Sequence, residues 1–173
     1  MASNTFTKIA TVTVGSGGAS TIDFTSIPST YTDLILFWSA RSNRSAVFDD
    51  TLVKFNSSTT NYTQKVLYND SGTTGSYTNG SSLGLAGLSQ AAANDTANVF
   101  GNAYIYITNY NSSNYKSFSA DGTSENNGSG VGQALSANLW SNTSAITSIT
   151  ILPGDGTLFS QYSTATLYGI KNS

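Results

Sequence analysis

The stretch Tyr31-Thr-Asp-Leu-Ile-Leu-Phe-Trp-Ser-Ala40 decides the fold of this chain. Its centre, Leu34 to Trp38, is the longest strongly apolar run in the sequence. A short apolar run bounded by polar residues suits a β-strand that is buried on both faces, as in the middle of a large sheet. We therefore expect this segment to form the central strand of the molecule.

On both sides of that run, apolar and polar residues alternate with a period of two, which is the pattern of a β-strand with two different faces. Clusters of Gly, Pro, Asn and Ser separate the alternating segments and indicate turns. The segments are Phe6–Val14, Ile22–Phe24, Tyr31–Ala40, Asp49–Phe55, Tyr62–Tyr68, Asn98–Thr108, Tyr115–Ala120, Val131–Trp140, Ile146–Leu152 and Tyr162–Lys171. This pattern predicts an all-β chain folded as an antiparallel, jelly-roll-like β-sandwich of about nine or ten short strands.

Three further segments lack a clear strand pattern. Asn69–Ser82 and Asp121–Gly130 are rich in Gly, Ser, Thr and Asn, and we expect two long loops there. Gln90–Ala97 is rich in alanine and is the one segment that suggests a helical turn.

The length of 173 residues fits a single domain spanning residues 1–173, with a core large enough to fold without disulfides or metals. Residues 1–14 are expected to form either an edge strand or an arm that adds to the sheet of a neighbouring subunit. No apolar segment approaches the length of a membrane span, and the first residues lack the apolar stretch of a secretory signal. We therefore expect no membrane association.

The polar residues of this chain are mostly uncharged. Ser, Thr and Asn fill about 40% of the positions, charged residues make up 9%, and His and Cys are absent. Ser-His-Asp and Cys-His catalytic arrangements are therefore impossible, and so are zinc sites with Cys or His ligands. The composition favours a rigid scaffold that presents a surface, without an enzymatic activity or a cofactor.

The nine carboxylates allow one catalytic alternative, a glycosidase with two acidic residues facing a cleft. Most of them lie in predicted turns or at strand ends, where Asp commonly bonds to the backbone. Asp49–Asp50 and Asp121–Glu125 are also candidates for binding Ca²⁺, but neither has the spacing of an EF-hand loop. We expect neither catalysis nor a bound metal.

The net charge of −2 comes from few charges of both signs, and the seven cationic residues are scattered. A nucleic-acid-binding protein needs a basic patch for the phosphate backbone, so we expect no nucleic-acid partner. Weak repulsion between copies permits self-association.

The residues expected at interfaces are arginines near the central strand and aromatic residues near loops. Arg41 and Arg44 directly follow the central strand and suit either interface ion pairs or pairing with nearby acidic residues of the same chain. Trp140 ends a strand, where packing is favoured over ligand contact, whereas Trp38 is expected in the core. The interface candidates are Arg41, Arg44, Tyr68, Tyr77, Tyr110 and Trp140. A sugar-stacking platform is the alternative role for the tyrosines.

Several segments resemble a family of small virion proteins of tailed phages, found in phages of aquatic bacteria including cyanophages. The likeness runs from about Thr21 to the end of the chain. Its segments are Tyr31–Leu36, Ala40–Ser42, Leu52–Asn56, Asn61–Tyr62, Ala97–Phe100, Tyr104–Ile105, Asn109–Tyr110, Leu139–Trp140, Ala145–Ile149 and Ala165–Lys171.

The resemblance implies a jelly-roll-like module of the virion without catalytic residues. Such modules serve as decoration (cement) proteins of the head or as components of the tail or fibres. The first role implies a trimer on the capsid surface that binds the major capsid protein. The second implies a tail or baseplate protein that binds host glycan, with Asn69–Ser82 and Asp121–Gly130 as its recognition loops.

Overall fold

A computed structural model of the protein describes residues 5–80, 83–128 and 130–171. This part of the chain contains twelve β-strands and no helix. The strands are β1 (Phe6–Thr13), β2 (Ile22–Phe24), β3 (Asp33–Ala40), β4 (Phe48–Phe55), β5 (Tyr62–Asp70), β6 (Thr73–Asn79), β7 (Gly84–Ala91), β8 (Gly101–Ile107), β9 (Lys116–Glu125), β10 (Val131–Trp140), β11 (Ile149–Pro153) and β12 (Thr164–Ile170).

The strands form two antiparallel sheets packed as a sandwich. The large sheet has eight strands in the order β1-β12-β3-β8-β9-β10-β5-β6, and the small sheet has four in the order β2-β11-β4-β7. The predicted all-β, jelly-roll-like sandwich is thus confirmed, with twelve strands instead of nine or ten. The first strand, β1, pairs with β12 of the same chain and forms an edge of the large sheet.

The core lies between the sheets and is built by alternating side chains. Leu34, Leu36 and Trp38 of β3 point into it and are 0 to 3% exposed. Val53 and Phe55 of β4 meet them from the small sheet with no exposed surface. The prediction that Trp38 lies in the core is confirmed.

An aromatic cluster joins the two sheets at one end of this core. The ring of Phe55, on the small sheet, lies 6.0 Å from that of Tyr62, 5.1 Å from that of Phe118 and 5.6 Å from that of Trp140, all on the large sheet. The Tyr62 hydroxyl also accepts a hydrogen bond of 2.8 Å from the backbone N–H of Phe55. The cluster therefore couples the sheets through both ring packing and a buried hydrogen bond.

The expectation that the central strand is buried on both faces holds from Asp33 to Leu36 and is wrong at Phe37. Ile35 and Phe37 point to the side of the large sheet that faces away from the small sheet, here called the outer face. Ile35 retains 8% exposure, but Phe37 retains 41% because no layer of described residues covers this side. The apolar run of β3 thus continues onto an open surface.

The long loop predicted at Asn69–Ser82 is wrong, since β5 extends to Asp70 and β6 spans Thr73–Asn79; the last two residues of the predicted loop lie outside the described residues. Ser71 and Gly72 connect β5 to β6 with φ angles of 51° and 90°, the left-handed backbone required by a tight two-residue hairpin turn. The alternation of apolar and polar residues does not reveal this strand, because Thr73–Asn79 is almost wholly polar. It is held by backbone pairing to β5 and not by an apolar face.

The second predicted loop and the helical turn need correction too. Residues Asp121–Glu125 continue β9, whose backbone pairs with β8 on one side and β10 on the other. Gln90 and Ala91 end β7, and the following residues form turns. Ala91 and Ala92 are fully buried, so tertiary packing of small side chains overrides the helical propensity of this alanine-rich segment.

Candidate functional site

A row of large side chains crosses the outer face of the large sheet. Strand register places Phe37 opposite Tyr104, Tyr104 opposite Asp121, Asp121 opposite Leu135, and Leu135 opposite Leu67. Leu67 is 61% exposed and Leu135 is 52% exposed. Exposure of paired leucines in the middle of a sheet leaves apolar surface in contact with water, which is unfavourable for an isolated molecule.

Three adjoining grooves lie on the outer face where β10, β5 and β6 run side by side. The largest has a volume of about 660 Å³ and includes Leu67 and Leu135. Its neighbours, of about 400 and 430 Å³, share residues with it. Among the described residues that line the three grooves, only Lys65 and Asp121 are charged. We call this surface, with its row from Phe37 to Leu67, the groove face.

A separate cavity of about 290 Å³ lies where the β5–β6 hairpin meets β4, and we call it the hairpin cavity. Phe48 and Asp50 of β4 line it because they alternate with the core-facing residues of that strand. Tyr68 and Tyr77 line it from the hairpin, with ring centroids 6.0 Å apart at an angle of 51°. Its remaining lining residues are Arg44, Asn69 and Asp70.

Arg44 is held at the wall of the hairpin cavity by partners within the chain. Its guanidinium lies 2.7 Å from the carboxylate of Asp155 and donates a 3.0 Å hydrogen bond to the carbonyl of Phe48. The Asp49 carboxylate, 4.0 Å from Arg44, accepts hydrogen bonds from the backbone N–H groups of Asp50, Asp155 and Gly156. These contacts fix the turn after β11 against the start of β4.

Asp50 is the residue of this cavity whose ionised form is disfavoured by its surroundings. Burial, followed by the negative charge of Asp49, raises the pKa of Asp50 from 3.8 to about 6, against the opposing effect of Arg44. Burial and the nearby Asp50 also raise the pKa of Tyr77 to about 12. A carboxylate held in a cavity beside aromatic rings is a common feature of ligand sites.

The Asp50→Asn variant should be more stable than the native protein at pH 8, by on the order of 2 kcal/mol. Because the folded state raises the pKa of Asp50, the ionised carboxylate destabilises the fold fully above pH 6. This penalty decreases as the pH falls from 6 and is absent below 3.8, where both states are protonated. Urea unfolding at pH 8 and at pH 4 measures the difference. Equal advantages of the variant at both pH values would contradict this account.

The structure brings together three of the six interface candidates, Arg44, Tyr68 and Tyr77, at the hairpin cavity. Tyr68 lies on a strand as predicted, whereas Tyr77 lies on a strand and not in the expected loop. Phe48 and Asp50 of this cavity were not among the candidates. The signal for them is an Asp in the middle of an alternating strand, where Asp is disfavoured.

Of the other three candidates, Tyr110 and Trp140 are buried, so their assignment to an interface is wrong, whereas Arg41 is half-buried and its guanidinium bonds within the chain. Tyr110 is 1% exposed and its hydroxyl bonds to the carbonyl of Pro28. Trp140 is 1% exposed and belongs to the aromatic cluster, as the packing alternative predicted. The Arg41 guanidinium donates four hydrogen bonds, all to backbone carbonyls of the segment between β7 and β8.

The sequence candidates for metal binding do not form a recognisable site. Within residues 5–80, 83–128 and 130–171, no three His, Cys, Asp or Glu side chains lie where they could hold one ion together. In the Asp49–Asp50 pair, the Asp49 oxygens already accept backbone hydrogen bonds. Asp121 and Glu125 both lie on β9, and Glu125 accepts a bond of 2.7 Å from the N–H of Asn127.

The described residues contain no helix long and apolar enough to cross a lipid bilayer. Comparisons of the chain with protein-family models, with curated proteins and with solved structures found no match.

Proposed function

We propose that this chain is a non-enzymatic structural protein of a phage virion that decorates the capsid and stabilises it by binding the major capsid protein. One observation carries the proposal: the groove face exposes Leu67 and Leu135 beside grooves whose described lining includes only two charged residues, and no described layer covers it. The resemblance of the sequence to virion proteins supports the location.

The groove face has the composition of a protein interface. Interface centres are depleted of charge and enriched in aromatic and other large apolar residues, whereas ordinary surface is not. Phe37, Leu67 and Leu135 are exposed in one row across the strands that also contains Tyr104 and Asp121, and the grooves beside the two leucines are depressions that a partner's side chains can fill. Phe37, the exposed apolar residue on the second face of β3, is removed from water only when a partner covers it.

The proposed mechanism is linkage between binding and assembly. A protein that binds only the assembled shell, across neighbouring capsid subunits, stabilises that shell by mass action. The twelve-stranded sandwich suits this role because its many backbone pairs hold the groove face rigid, so little order has to be gained on binding.

Replacing Leu67 and Leu135 together by Glu should abolish binding to the capsid. Two carboxylates in the centre of an apolar interface lose their hydration without gaining partners, so we expect the dissociation constant to rise at least about 100-fold. Co-sedimentation of the purified variant with phage heads stripped of the native protein measures the loss. Both positions are exposed, but the two new carboxylates lie opposite each other and next to Asp121, so circular dichroism and urea unfolding of the variant verify that its fold is retained.

The matched control is Tyr115→Glu, because Tyr115 is equally exposed, at 59%, but lies outside the grooves. This variant should bind heads like the native protein. Native-like binding by the Leu67/Leu135 variant would overturn the proposal for the groove face, and failure of the native protein to bind heads would overturn the decoration role.

A second candidate function is recognition of host glycan as a tail or fibre protein, and the hairpin cavity favours it. Tyr68 and Tyr77 offer ring faces for stacking on sugar, and Asp50 and Asn69 offer acceptors and donors for hydroxyl groups. The recognition loops expected for this role are largely strands, so the cavity replaces them as the site. Glycan-array binding that is lost in Tyr77→Ala, together with no binding to heads, would favour this candidate.

A further inference from the structure

The two sheets end in four edge strands, and three of these carry features that hinder pairing with another chain. β1 contains a register shift between Lys8 and Ala10, and it presents the charge of Lys8. β2 has three residues and includes Asp23. β7 pairs with β4 through two register shifts. Bulges, charges and short length are the devices by which proteins prevent edge-to-edge association.

The fourth edge, β6, has none of these features. It pairs with β5 in unbroken register from Thr73 to Asn79, and its seven residues include no charge and no Pro. No described strand lies on its other side. Its outer row of unpaired backbone groups is therefore a template for another strand.

We propose that β6 pairs antiparallel with β6 of a second copy of this chain, about a twofold axis at Ser76. This register places Thr74 opposite Thr78 of the second copy, a favourable cross-strand pair. It also places Gly75, over which the Tyr68 ring of the same chain lies, opposite Tyr77 of the second copy, so Tyr77 faces an aromatic ring there. No like charges face each other.

A second copy is the favoured occupant because the strand is complementary to itself around its centre. A twofold contact uses the same patch on both partners and closes after two copies, which limits open-ended growth. The low net charge of −2 adds little repulsion. The pairing would join two large sheets into one continuous sheet and set two groove faces side by side.

A charge-swap experiment at Ser76 tests both the contact and its register. Ser76 is exposed, so Ser76→Lys and Ser76→Glu should fold normally. Analytical ultracentrifugation at about 100 µM should show the native protein as a dimer and each variant alone as a monomer, because the twofold axis sets like charges opposite each other. Mixing the two variants should restore a one-to-one heterodimer.

The control variant Ser119→Lys, on the outer face of β9 in the interior of the sheet, should remain dimeric. A monomeric or trimeric native protein would overturn the proposal, and so would dimers of both charged variants alone. Because Ser76 also lines the groove face, head binding by Ser76→Lys does not test this contact, and self-association of Ser76→Lys alone at the native level would overturn the proposal. Failure of the proposed capsid role can be distinguished from failure of this dimer proposal, since the Leu67/Leu135 variant should lose head binding and still dimerise.

Discussion

Phe55→Ala should lower the free energy of unfolding by about 3 to 5 kcal/mol, the cost of truncating a fully buried aromatic side chain. Phe55 has no exposed surface and contacts Tyr62, Phe118 and Trp140 across the two sheets. The substitution leaves a cavity at the point where the sheets are coupled, and β-strands on both sides limit its collapse. Urea unfolding followed by tryptophan fluorescence measures the loss, since Trp140 reports the cluster directly.

This loss is a large fraction of the stability of an ordinary domain, about 5 to 15 kcal/mol. The control is Leu135→Ala, which truncates a side chain that is 52% exposed and should change the free energy by no more than about 0.5 kcal/mol. Comparable losses from both substitutions would contradict the assignment of Phe55 to the core and Leu135 to the surface.

Arg41→Met should destabilise the protein by about 3 kcal/mol, because the Arg41 side chain acts as a clamp that holds the segment between β7 and β8 in place through hydrogen bonds. The guanidinium donates hydrogen bonds of 2.8 to 3.1 Å to four backbone carbonyls in the segment between β7 and β8. Met keeps much of the side-chain volume but offers no donor. The carbonyls belong to Ala93, Asp95, Thr96 and Val99.

Hydrogen exchange localises this effect. The amides of Asp95 and Val99, which bond within the same segment, should exchange faster in Arg41→Met than amides of β3 and β8. Arg41→Lys should recover less than half of the lost stability, because one ammonium group cannot reach all four carbonyls. Uniform acceleration across the protein, or full recovery by Lys, would show that Arg41 does not act as a clamp on this segment.

Alternation of apolar and polar residues predicts strands well where one face enters the core. β10 begins at Val131 and ends at Trp140, as predicted. The pattern does not reveal which face points inward. In β10 the small or polar Ala134, Ser136 and Asn138 are buried, whereas Leu135 is exposed. Burial in this strand depends on strands paired and packed against it, which are distant in sequence.

The alternation of apolar and polar residues does not predict strands that lack an apolar face. β6 and the second half of β9 consist mostly of polar residues and glycine, and backbone pairing with neighbouring strands, without an apolar face, places them in the sheet. The same limit applies to charged residues. Lys116 is fully buried, where burial lowers its pKa and its ammonium bonds to the carbonyls of Ser112 and Asn114. The residues next to Lys116 in the sequence do not indicate that it is buried.

The two candidate surfaces were predictable only in part, because strand pairing assembles them. Tyr68 and Tyr77 were found by residue type, and the hairpin turn brings them together. Leu67 and Leu135 face each other on neighbouring strands although they are far apart in sequence. The sequence identified single candidate residues such as Tyr68 and Tyr77, whereas the groove face is formed only when the strands pair in the folded sheet.

Cryo-EM of purified virions tests the central claim most directly. The account predicts density for this sandwich on the head, with the outer face of β10, β5 and β6 packed against the capsid shell and Leu67 and Leu135 buried. The same sandwich located in the tail, or bound to the head with its groove face open to solvent, would contradict the account.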